Sequence, residues 1–439
     1  MKTTVAMCTR VEGHGDVKIF FQKNEISNIN FEIQAIRGFE NILLNKKLVE
    51  VPRLVSRVCG LCYASQTIAS CKAIENMFEI EPTAQSIQLR RLLMIGELIN
   101  SHSLHFYFQA FPDLFVFLKG QEKPLSLEEL IRYDPQMTSY MFELIKTGKE
   151  LVNIFGGRYT HPITPIVGGM ANAPTKKSIG IARKFLQKII ENTKWIIEKY
   201  QEFIANTTPP EELNLQNPTF LGIQNRGAYS NYQGMLRLKQ DGEVLADFQF
   251  NEYSKYLDRD RNLPGIYAYV EDKELADLKL MVGPLARFNL IDANYGTSEL
   301  DPYIKAIEKP WQKNLLVSNY LRLLEILFLS YDGLKILEDS KLINPIEIQP
   351  QTTLKNFEGI GVVEAPRGTL IHHYQANNKL VLERIKLLVA TEINIPTIND
   401  VLTKQGQKLY QATQDLEKVK QQAQMTVRTF DPCISCATH

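Results

Sequence analysis

The sequence predicts a mainly α-helical fold with small β appendages. Long segments repeat apolar residues at helical spacing, whereas two shorter ranges alternate apolar and polar residues. Two Cys-x-x-Cys pairs also lie near opposite ends of the 439-residue chain. If both pairs serve one site, the chain ends must meet in the core. We therefore expect a single domain over residues 1–439 rather than several linked domains.

Helical periodicity recurs along most of the chain and predicts the long helices of the core. Leu92, Ile95 and Ile99, for example, have the spacing of residues on one helix face. Pro209 and Pro210 end the third of these segments, because proline cannot continue a helix. The predicted helical ranges are 82–118, 127–155, 178–205, 311–337 and 398–424.

Two ranges are predicted to form β structure. Alternation over about 15–34, as in Val17-Lys18-Ile19, predicts a short N-terminal β-meander. The range of about 217–300 is rich in Gly, Tyr and Asn and also contains alternating stretches, so it predicts a β-rich insertion. No repeat or Gly/Ser-rich linker divides the sequence.

Charge and hydropathy exclude several classes of function. The 50 basic and 49 acidic residues leave a net charge of +1, which gives no basic footprint for nucleic acid. Charged and amide residues interrupt every apolar run before the roughly 18 residues that a membrane-spanning helix needs. The first residues lack the apolar core of a secretion signal, so we expect no self-directed export.

The two cysteine pairs are Cys59 with Cys62 and Cys433 with Cys436, and they offer four thiolates. Such soft donors suit zinc, Fe–S clusters, nickel and copper(I). The pairs stand 374 residues apart, whereas the pairs of a zinc ribbon are separated by roughly 15–20 residues. This separation weakens the zinc interpretation, but spacing alone leaves a structural zinc site open.

The residues that flank the cysteines resemble the signatures of nickel–iron hydrogenase large subunits. The N-terminal signature is Arg10-Val11-Glu12-Gly13-His14, and the cysteine-bearing blocks are 57–62 and 431–439. The similarity runs in order nearly from end to end. The further matching blocks are 37–40, 101–106, 111–113, 157–158, 161–162, 167–169, 283–287 and 364–368.

This resemblance implies the large-subunit fold, a long helical core in which both chain ends meet at a buried metal site. It implies a Ni–Fe centre, with carbon monoxide and cyanide on iron. Cys59 and Cys433 would be terminal ligands of nickel, and Cys62 and Cys436 would bridge nickel and iron. The chain stops at His439, the residue after which members of the family are cut on maturation.

The implied activity is reversible cleavage of dihydrogen to protons and electrons, which needs a base close to the metal. By analogy with the family this base is Cys433, and Glu12 is the first proton relay. Arg367 would lie over the open metal position. The alternative for Glu12 is an ion pair with Arg10 or another cation, and the alternative for Arg367 is an ordinary buried ion pair, for example with Glu364, which does not exclude the role at the metal.

A second metal site is implied near the C-terminus. Glu40 and His439, with a backbone carbonyl from 385–388, would bind Mg or Fe. Four other residues are not expected to be metal ligands. Cys8 and Cys71 are expected to be buried apolar residues, and His102 and His105 to be core or proton-path residues.

Two positions depart from the family pattern. Gln66 stands where most members have a histidine that donates a hydrogen bond to a bridging thiolate, and glutamine cannot become charged near neutral pH. Ser101 stands where many members have aspartate. Both changes affect groups around the expected metal site, and such groups tune a metal's reactivity.

The resemblance also implies partners. Too few cysteines remain for an Fe–S relay, so electrons would pass to a small subunit with Fe–S clusters and to further electron-transfer subunits. The sequence looks closest to the cytoplasmic multimeric class. Two alternatives remain at this point, a hydrogen-sensing subunit with low turnover and a non-catalytic structural thiolate–metal protein.

Overall fold

The computed structural model describes residues 2–33, 38–258, 265–350 and 353–438, and this part of the chain is mainly α-helical, as predicted. The helices are α1 (Phe39–Leu43), α2 (Val51–Val55), α3 (Tyr63–Phe78), α4 (Ala84–Leu104), α5 (Phe111–Lys119), α6 (Leu127–Tyr133), α7 (Pro135–Gly156), α8 (Lys176–Ile204), α9 (Pro284–Leu290), α10 (Asp301–Lys305), α11 (Lys309–Gln312), α12 (Val317–Ile336), α13 (Ala390–Thr413), α14 (Leu416–Thr429) and α15 (Ile434–Ala437). The strands are β1 (Lys2–Cys8), β2 (Gly15–Gln22), β3 (Glu25–Ile33), β4 (Pro165–Ile166), β5 (Gly169–Met170), β6 (Thr219–Asn225), β7 (Ala228–Tyr229), β8 (Met235–Gln240), β9 (Glu243–Phe248), β10 (Leu257–Asp258), β11 (Tyr267–Val270), β12 (Leu275–Met281), β13 (Glu358–Ala365), β14 (Gly368–Ala376) and β15 (Leu382–Leu388).

The helical core is built around α4, which packs against α7 on one side and α12 on the other. Two glycines let α4 and α7 approach closely. A Cβ on Gly96 would lie 2.9 Å from the carbonyl oxygen of Gly148, and one on Gly148 would lie 2.7 Å from the amide nitrogen of Asn100. Helix α8 packs on α7 and α12 and completes this bundle. No helix among the described residues is long and apolar enough to cross a membrane.

The prediction of one helix over 127–155 is wrong, because the range contains two helices, α6 and α7. The break falls at Asp134, whose side chain accepts a hydrogen bond from the amide of Met137 (2.8 Å) and so caps α7. Pro135 then occupies the first helical position, where its missing N–H costs nothing.

Three other predicted helices differ in their limits. The 82–118 range is interrupted by a π turn, His105–Ala110, ahead of Pro112. The 311–337 range is split into α11 and α12. The last range begins earlier, at Ala390, and is split after Thr413. Pro396 lies inside α13, where burial of the neighbouring isoleucines outweighs one missing helical hydrogen bond.

The three larger sheets lie at the edges of this core. Strands β1, β2 and β3 form an antiparallel sheet, and β3 lies on α13, where the amide of Ile29 donates to Thr403 Oγ1 (3.0 Å). The β-rich range holds seven strands in the order β10-β11-β12-β6-β8-β9, with β7 paired to β6. Its strands end at Met281, so the predicted β-rich range extends too far and its last part contains α9.

A third sheet, β13-β14-β15, was not predicted and packs directly on α3. Two glycines of β13 make this contact possible. A Cβ on Gly359 would lie 2.1 Å from the carbonyl oxygen of Ala73, and one on Gly361 would lie 2.0 Å from that of Ala69. The sheet therefore presses against the helix that follows the first cysteine pair.

Candidate metal centre

The first cysteine pair lies in the turn that leads into α3, and Cys62 is the N-cap residue of that helix. The amides of Leu61 and Cys62 point at Cys59 Sγ, with N···S distances of 3.2 and 3.4 Å. Backbone N–H groups directed at a sulfur favour its thiolate form. Helix α3 and its leading turn therefore hold both sulfurs of this pair in a fixed position.

The second pair lies on the C-terminal turn that contains α15, which the N-terminal segment holds in place. The amide of Cys433 donates to Thr391 Oγ1 (2.8 Å), and the amide of Ile434 donates to the carbonyl oxygen of Glu12 (3.0 Å). Both ends of the chain therefore meet at the second pair, as the positions of the cysteines predict.

The four sulfur atoms converge in a buried cluster, all within 4.8 Å of one another. Sγ–Sγ distances are 3.2 Å for Cys59 with Cys433, 3.0 Å for Cys62 with Cys436, and 2.9 Å for Cys433 with Cys436. All four cysteines are free and at most 4% exposed. Within the described part of the chain, these four cysteines are close enough together to hold a metal ion.

The donor set fits a soft metal cation. Burial, followed by the neighbouring sulfur of Cys436, raises the pKa of the Cys433 thiol well above its ordinary value. Four anionic sulfurs at this spacing would repel one another in a dry interior unless a cation lay among them. A bound metal reverses the shift, because a coordinating thiol loses its proton. The residues therefore suit a thiolate-bound nickel–iron group.

Glu12 lies against the outer side of this cluster. Its Oε2 is 3.2 Å from Cys433 Sγ and accepts a hydrogen bond from the amide of Ser435 (2.9 Å), while the Ser435 hydroxyl donates to Oε1. The alternative ion pair with Arg10 is wrong, because the guanidinium of Arg10 pairs with Asp113. Glu12 is partly exposed, so its carboxyl connects a buried sulfur with the protein surface.

Arg367 lies in the turn between β13 and β14 and is fixed by Asp431. Its Nε donates to the carbonyl oxygen of Asp431 and its Nη2 to Oδ1 of the same residue, both at 2.9 Å. Nη1 lies 3.4 Å from the hydroxyl of Ser101. Arg367 is therefore in a buried ion pair, as the alternative interpretation expected, but the partner is Asp431 and not Glu364, which pairs with Arg287 (3.0 Å). The pair of Arg367 and Asp431 thus adjoins the start of the second cysteine pair.

Gln66 lies one helical turn after Cys62, next to two of the cysteines. Its Nε2 is 3.9 Å from Cys62 Sγ and 3.8 Å from Cys436 Sγ. On its other side, Oε1 is 2.8 Å from Nε2 of His372, a fully buried residue of β14. His373 faces the other way, toward Tyr253 (2.7 Å), so the two histidines do not share a site.

Glu40 is placed beside the segment expected to share its metal. Its Oε1 accepts a hydrogen bond from the amide of Leu387 (2.8 Å), and Gly38 donates to the carbonyl oxygen of Thr438 (3.3 Å). The other expected ligand, His439, lies outside the described residues, as does Arg37 of the upstream block. The C-terminus is thus joined to α1 one residue before the expected histidine ligand.

Sequence reasoning missed Glu97, which supports the first cysteine pair from α4. Its carboxylate accepts hydrogen bonds from the amides of Ala64 and Ser65, at the start of α3. Burial raises the pKa of Glu97 to about 8, and the hydrogen bonds from Ser65 and Ala64 limit the rise. A glutamate on the apolar face of a predicted helix was the available signal, since buried acids are usually paired.

The remaining cysteines and histidines have other partners. Burial raises the pKa of Cys8 to about 11 and that of Cys71 to about 12, as expected of buried structural thiols. His102 Nε2 lies 2.8 Å from Glu325, and His105 Nε2 lies 2.7 Å from the carbonyl oxygen of Arg428.

The sequence matches known proteins over its whole length. A family model described as nickel-dependent hydrogenase matches residues 37–114 and 328–439. The chain is 30% identical to a subunit of the F420-non-reducing hydrogenase Vhc of Methanococcus voltae, over 100% of this chain and 95% of that protein. It is 25% identical to the beta subunit of the NAD-reducing hydrogenase HoxS of Cupriavidus necator, over 100% and 94% respectively.

The fold matches as well. A solved NAD⁺-reducing NiFe-hydrogenase in the H₂-reduced state superposes with a TM-score of 0.88, at 23% identity and with 100% of both chains covered. Fold and site together define a protein whose two chain ends enclose a buried four-cysteine site that could hold a metal ion. The full-length match at 30% identity shows the family, and the chain belongs to the nickel-dependent hydrogenases. It is a catalytic hydrogenase subunit with a nickel–iron centre at the four cysteines.

Proposed function

We propose that this subunit cleaves dihydrogen heterolytically and reversibly, giving two protons and two electrons, with Cys433, Glu12 and Arg367 in the proton-handling and positioning roles. The observation that carries the proposal is the convergence of a carboxyl and a fixed guanidinium on the rim of a buried four-thiolate cluster. The nickel–iron group, when bound, supplies the Lewis acid that polarises dihydrogen and takes up its two electrons.

The four cysteines divide into two kinds in this proposal. Cys59 and Cys433 would hold nickel as terminal ligands, and Cys62 and Cys436 would hold nickel and iron together. The division comes from the family resemblance, and one feature supports it, since Cys62 and Cys436 are the two sulfurs that face the amide of Gln66. Cys433 is the sulfur that faces the carboxyl of Glu12, which is where a proton acceptor is needed.

The proton moves outward through side chains of this chain. Cys433 Sγ would take one proton of dihydrogen and pass it to Glu12 Oε2 across 3.2 Å, and the second proton would leave by the same route once both electrons have passed on. Glu12 is partly exposed, so it can release the proton toward the surface. Two donors from Ser435 orient the carboxylate, so little reorganisation is needed for the transfer.

Arg367 would hold its guanidinium over the open metal position, as the family resemblance implies. The two bonds to Asp431 fix the plane of the group, and this restriction favours a polarising role over a mobile surface charge. We further propose that iron carries carbon monoxide and cyanide, and that the N–H groups of Arg367 donate to cyanide. These ligands come from the family resemblance.

A second metal ion, Mg or Fe, is proposed at Glu40, His439 and a carbonyl of 385–388. The bond between Glu40 and the amide of Leu387 supports this assignment, because it places the carboxylate at that segment. An oxygen-rich site with one imidazole suits either ion. Its role would be to hold the C-terminal turn, and with it Cys433 and Cys436, in the core.

Electrons would leave through partner subunits. We propose a small subunit with Fe–S clusters and further electron-transfer subunits. Cys8 and Cys71 are the two cysteines outside the centre, and within the described structure neither belongs to a group of residues that could hold an Fe–S cluster. The relatives are named as subunits of F420-non-reducing and NAD-reducing hydrogenases, which supports a multi-subunit assembly. We propose a cytoplasmic location on the same grounds.

The test is an infrared spectrum of the protein purified with its partner subunits, with nickel and iron quantified on the same sample. Sharp carbon monoxide and cyanide bands, with about one nickel per chain, are expected for the proposed centre. Hydrogen-dependent reduction of a dye should accompany them. Zinc in place of nickel, without such bands in a fully matured preparation, would overturn the proposal.

A further inference from the structure

The side chains of Gln66, His372 and Tyr374 form a buried chain that ends at two metal-site sulfurs. Tyr374 Oη lies 2.6 Å from His372 Nδ1, and His372 Nε2 lies 2.8 Å from Gln66 Oε1. Gln66 Nε2 then faces the sulfurs of Cys62 and Cys436. All three side chains are at most 1% exposed. Contacts with bulk water therefore do not set their orientation.

The direction of these hydrogen bonds is fixed at the sulfur end. A metal-bound thiolate can accept a hydrogen bond but has no proton to donate. The NH₂ group of Gln66 must therefore face Cys62 and Cys436, and its carbonyl oxygen must face His372. Since that oxygen only accepts, Nε2 of His372 has to carry the proton.

The other ring nitrogen supports the same tautomer. Burial raises the pKa of Tyr374, so its hydroxyl keeps the proton that it can donate to His372 Nδ1. His372 and Tyr374 are two residues apart on β14, so their side chains lie on the same face of the strand. Because this sheet packs directly on α3, it brings both side chains to the helix that carries Gln66.

We infer that His372 is a positioning residue that holds the Gln66 amide with its N–H bonds toward the thiolates of Cys62 and Cys436. Without a partner on its oxygen, a primary amide can flip by about 180°, and its oxygen would then face two anionic sulfurs. His372 selects the donating orientation and so withdraws electron density from both sulfurs through Gln66. The expected effect on iron rests on the proposed function, whereas the orientation itself does not.

A double-mutant cycle tests whether His372 acts through Gln66. In holoenzyme with its partner subunits, Gln66→Leu removes the donor, so the carbon monoxide and cyanide bands should move to lower frequency as electron density on iron rises. His372→Phe should shift the bands in the same direction, with a roughly 10- to 100-fold loss of dye reduction. The double variant should match Gln66→Leu alone, and His372→Gln, which keeps a donor, should restore most of the parent frequency.

The neighbouring histidine provides the control. His373→Phe alters an imidazole on the opposite face of β14, so the bands should not move. Additive shifts in the double variant, or an equal shift in His373→Phe, would mean that His372 acts by general support of the fold and would overturn the inference.

The tautomer gives a readout that is independent of activity and of the metal's identity. In protein with ¹⁵N-labelled histidine, the His372 resonances are assigned by their loss in His372→Phe, and their shifts should report a proton on Nε2. A proton on Nδ1 alone would overturn the inference. If the cluster held zinc and no bands were seen, the proposed function would fail, while the tautomer would still decide the orientation of Gln66.

Discussion

Glu12 lies 3.2 Å from the sulfur of Cys433, and a single substitution tests its proposed role as proton relay. Glu12→Gln keeps the shape and an acceptor for Ser435 but cannot relay a proton, so hydrogen-dependent dye reduction should fall by about 10²- to 10⁴-fold. Nickel content should stay at the parent value, because Glu12 is not one of the proposed ligands.

The control for this prediction lies on the same N-terminal sheet. Glu25 is exposed on β3, so Glu25→Gln should leave the dye-reduction rate unchanged. A Glu12→Gln enzyme with parent activity and full nickel would remove Glu12 from the proton path.

Residue-level prediction worked where the chemistry of a side chain limits its use. Four thiols in two pairs indicate a metal whatever the fold, and the structure brings them together. The partners of Arg367 and Glu12 could not be read from the sequence, because each depends on which charge the fold brings near. Asp431 and Ser435, which hold these two side chains, are local to the second cysteine pair. His372 depends on a contact between residues 306 positions apart.

At the scale of elements, α13 anchors the C-terminal turn through one hydroxyl. Thr391→Val leaves the buried amide of Cys433 without its acceptor, at a cost of about 1–3 kcal/mol. A local opening made easier by about 1.4 kcal/mol is tenfold more frequent. Nickel release to a chelator and amide exchange over 431–438 should therefore accelerate roughly tenfold.

A threonine on the same helix separates this effect from general destabilisation. Thr403 Oγ1 accepts a hydrogen bond from Ile29 near the middle of α13, about three turns away from Thr391. Thr403→Val should lower overall stability by a similar amount while nickel release stays at the parent rate. Equal acceleration in both variants would show that Thr391 has no specific hold on the metal centre.

The contact between α4 and α12 predicts acid lability. Burial lowers the pKa of His102 to about 4, although the carboxylate of Glu325 raises it in part. Below pH 6.5 the unfolded chain gains a proton at this position that the folded chain does not take up until near pH 4. Stability is therefore intact above pH 6.5 and falls with pH over that window, by about 2 kcal/mol between pH 7 and pH 5.

Urea midpoints at the two pH values measure this contribution. His102→Gln can still donate to Glu325 but cannot titrate, so its loss of stability between pH 7 and pH 5 should be smaller than that of the parent. His14 is exposed, and His14→Gln should behave like the parent. An unchanged pH dependence in His102→Gln would assign the acid lability to other groups.

The limits of the elements were predicted less well than their existence, for local reasons. Helix α6 ends before Asp134 and helix α7 begins at Pro135, although the apolar pattern continues through both. Periodicity alone therefore does not reveal this boundary. Pro396 suggested a boundary, but the core contacts of α13 override it. Strands β13 and β14 are buried along most of their length, so they lack the alternation that reveals a half-exposed strand.

At the scale of the whole molecule, the four-cysteine site brings the two ends of the chain together. Cys59 and Cys62 stand at the head of a core helix, whereas Cys433 and Cys436 lie on a short turn held by a few backbone contacts. A ligand that binds only the folded state adds at least about 4 kcal/mol when present at a thousand times its dissociation constant. Removing nickel should therefore lower the unfolding temperature and release the C-terminal turn first.

Two cysteine variants test this coupling between metal and fold. Cys436→Ser should reduce nickel content and remove the protection of amides over 431–438, while the amides of α4 and α7, in the helical core, keep theirs. Cys71→Ala also alters a buried free cysteine, but one outside the cluster, so it should cost only packing energy and keep both nickel and the protected turn. If both variants lost amide protection to the same extent across the whole chain, the metal centre would make no specific contribution to the stability of the C-terminal turn. Loss confined to the C-terminal turn in Cys436→Ser would mean that metal binding closes the chain ends over a core that is stable without it.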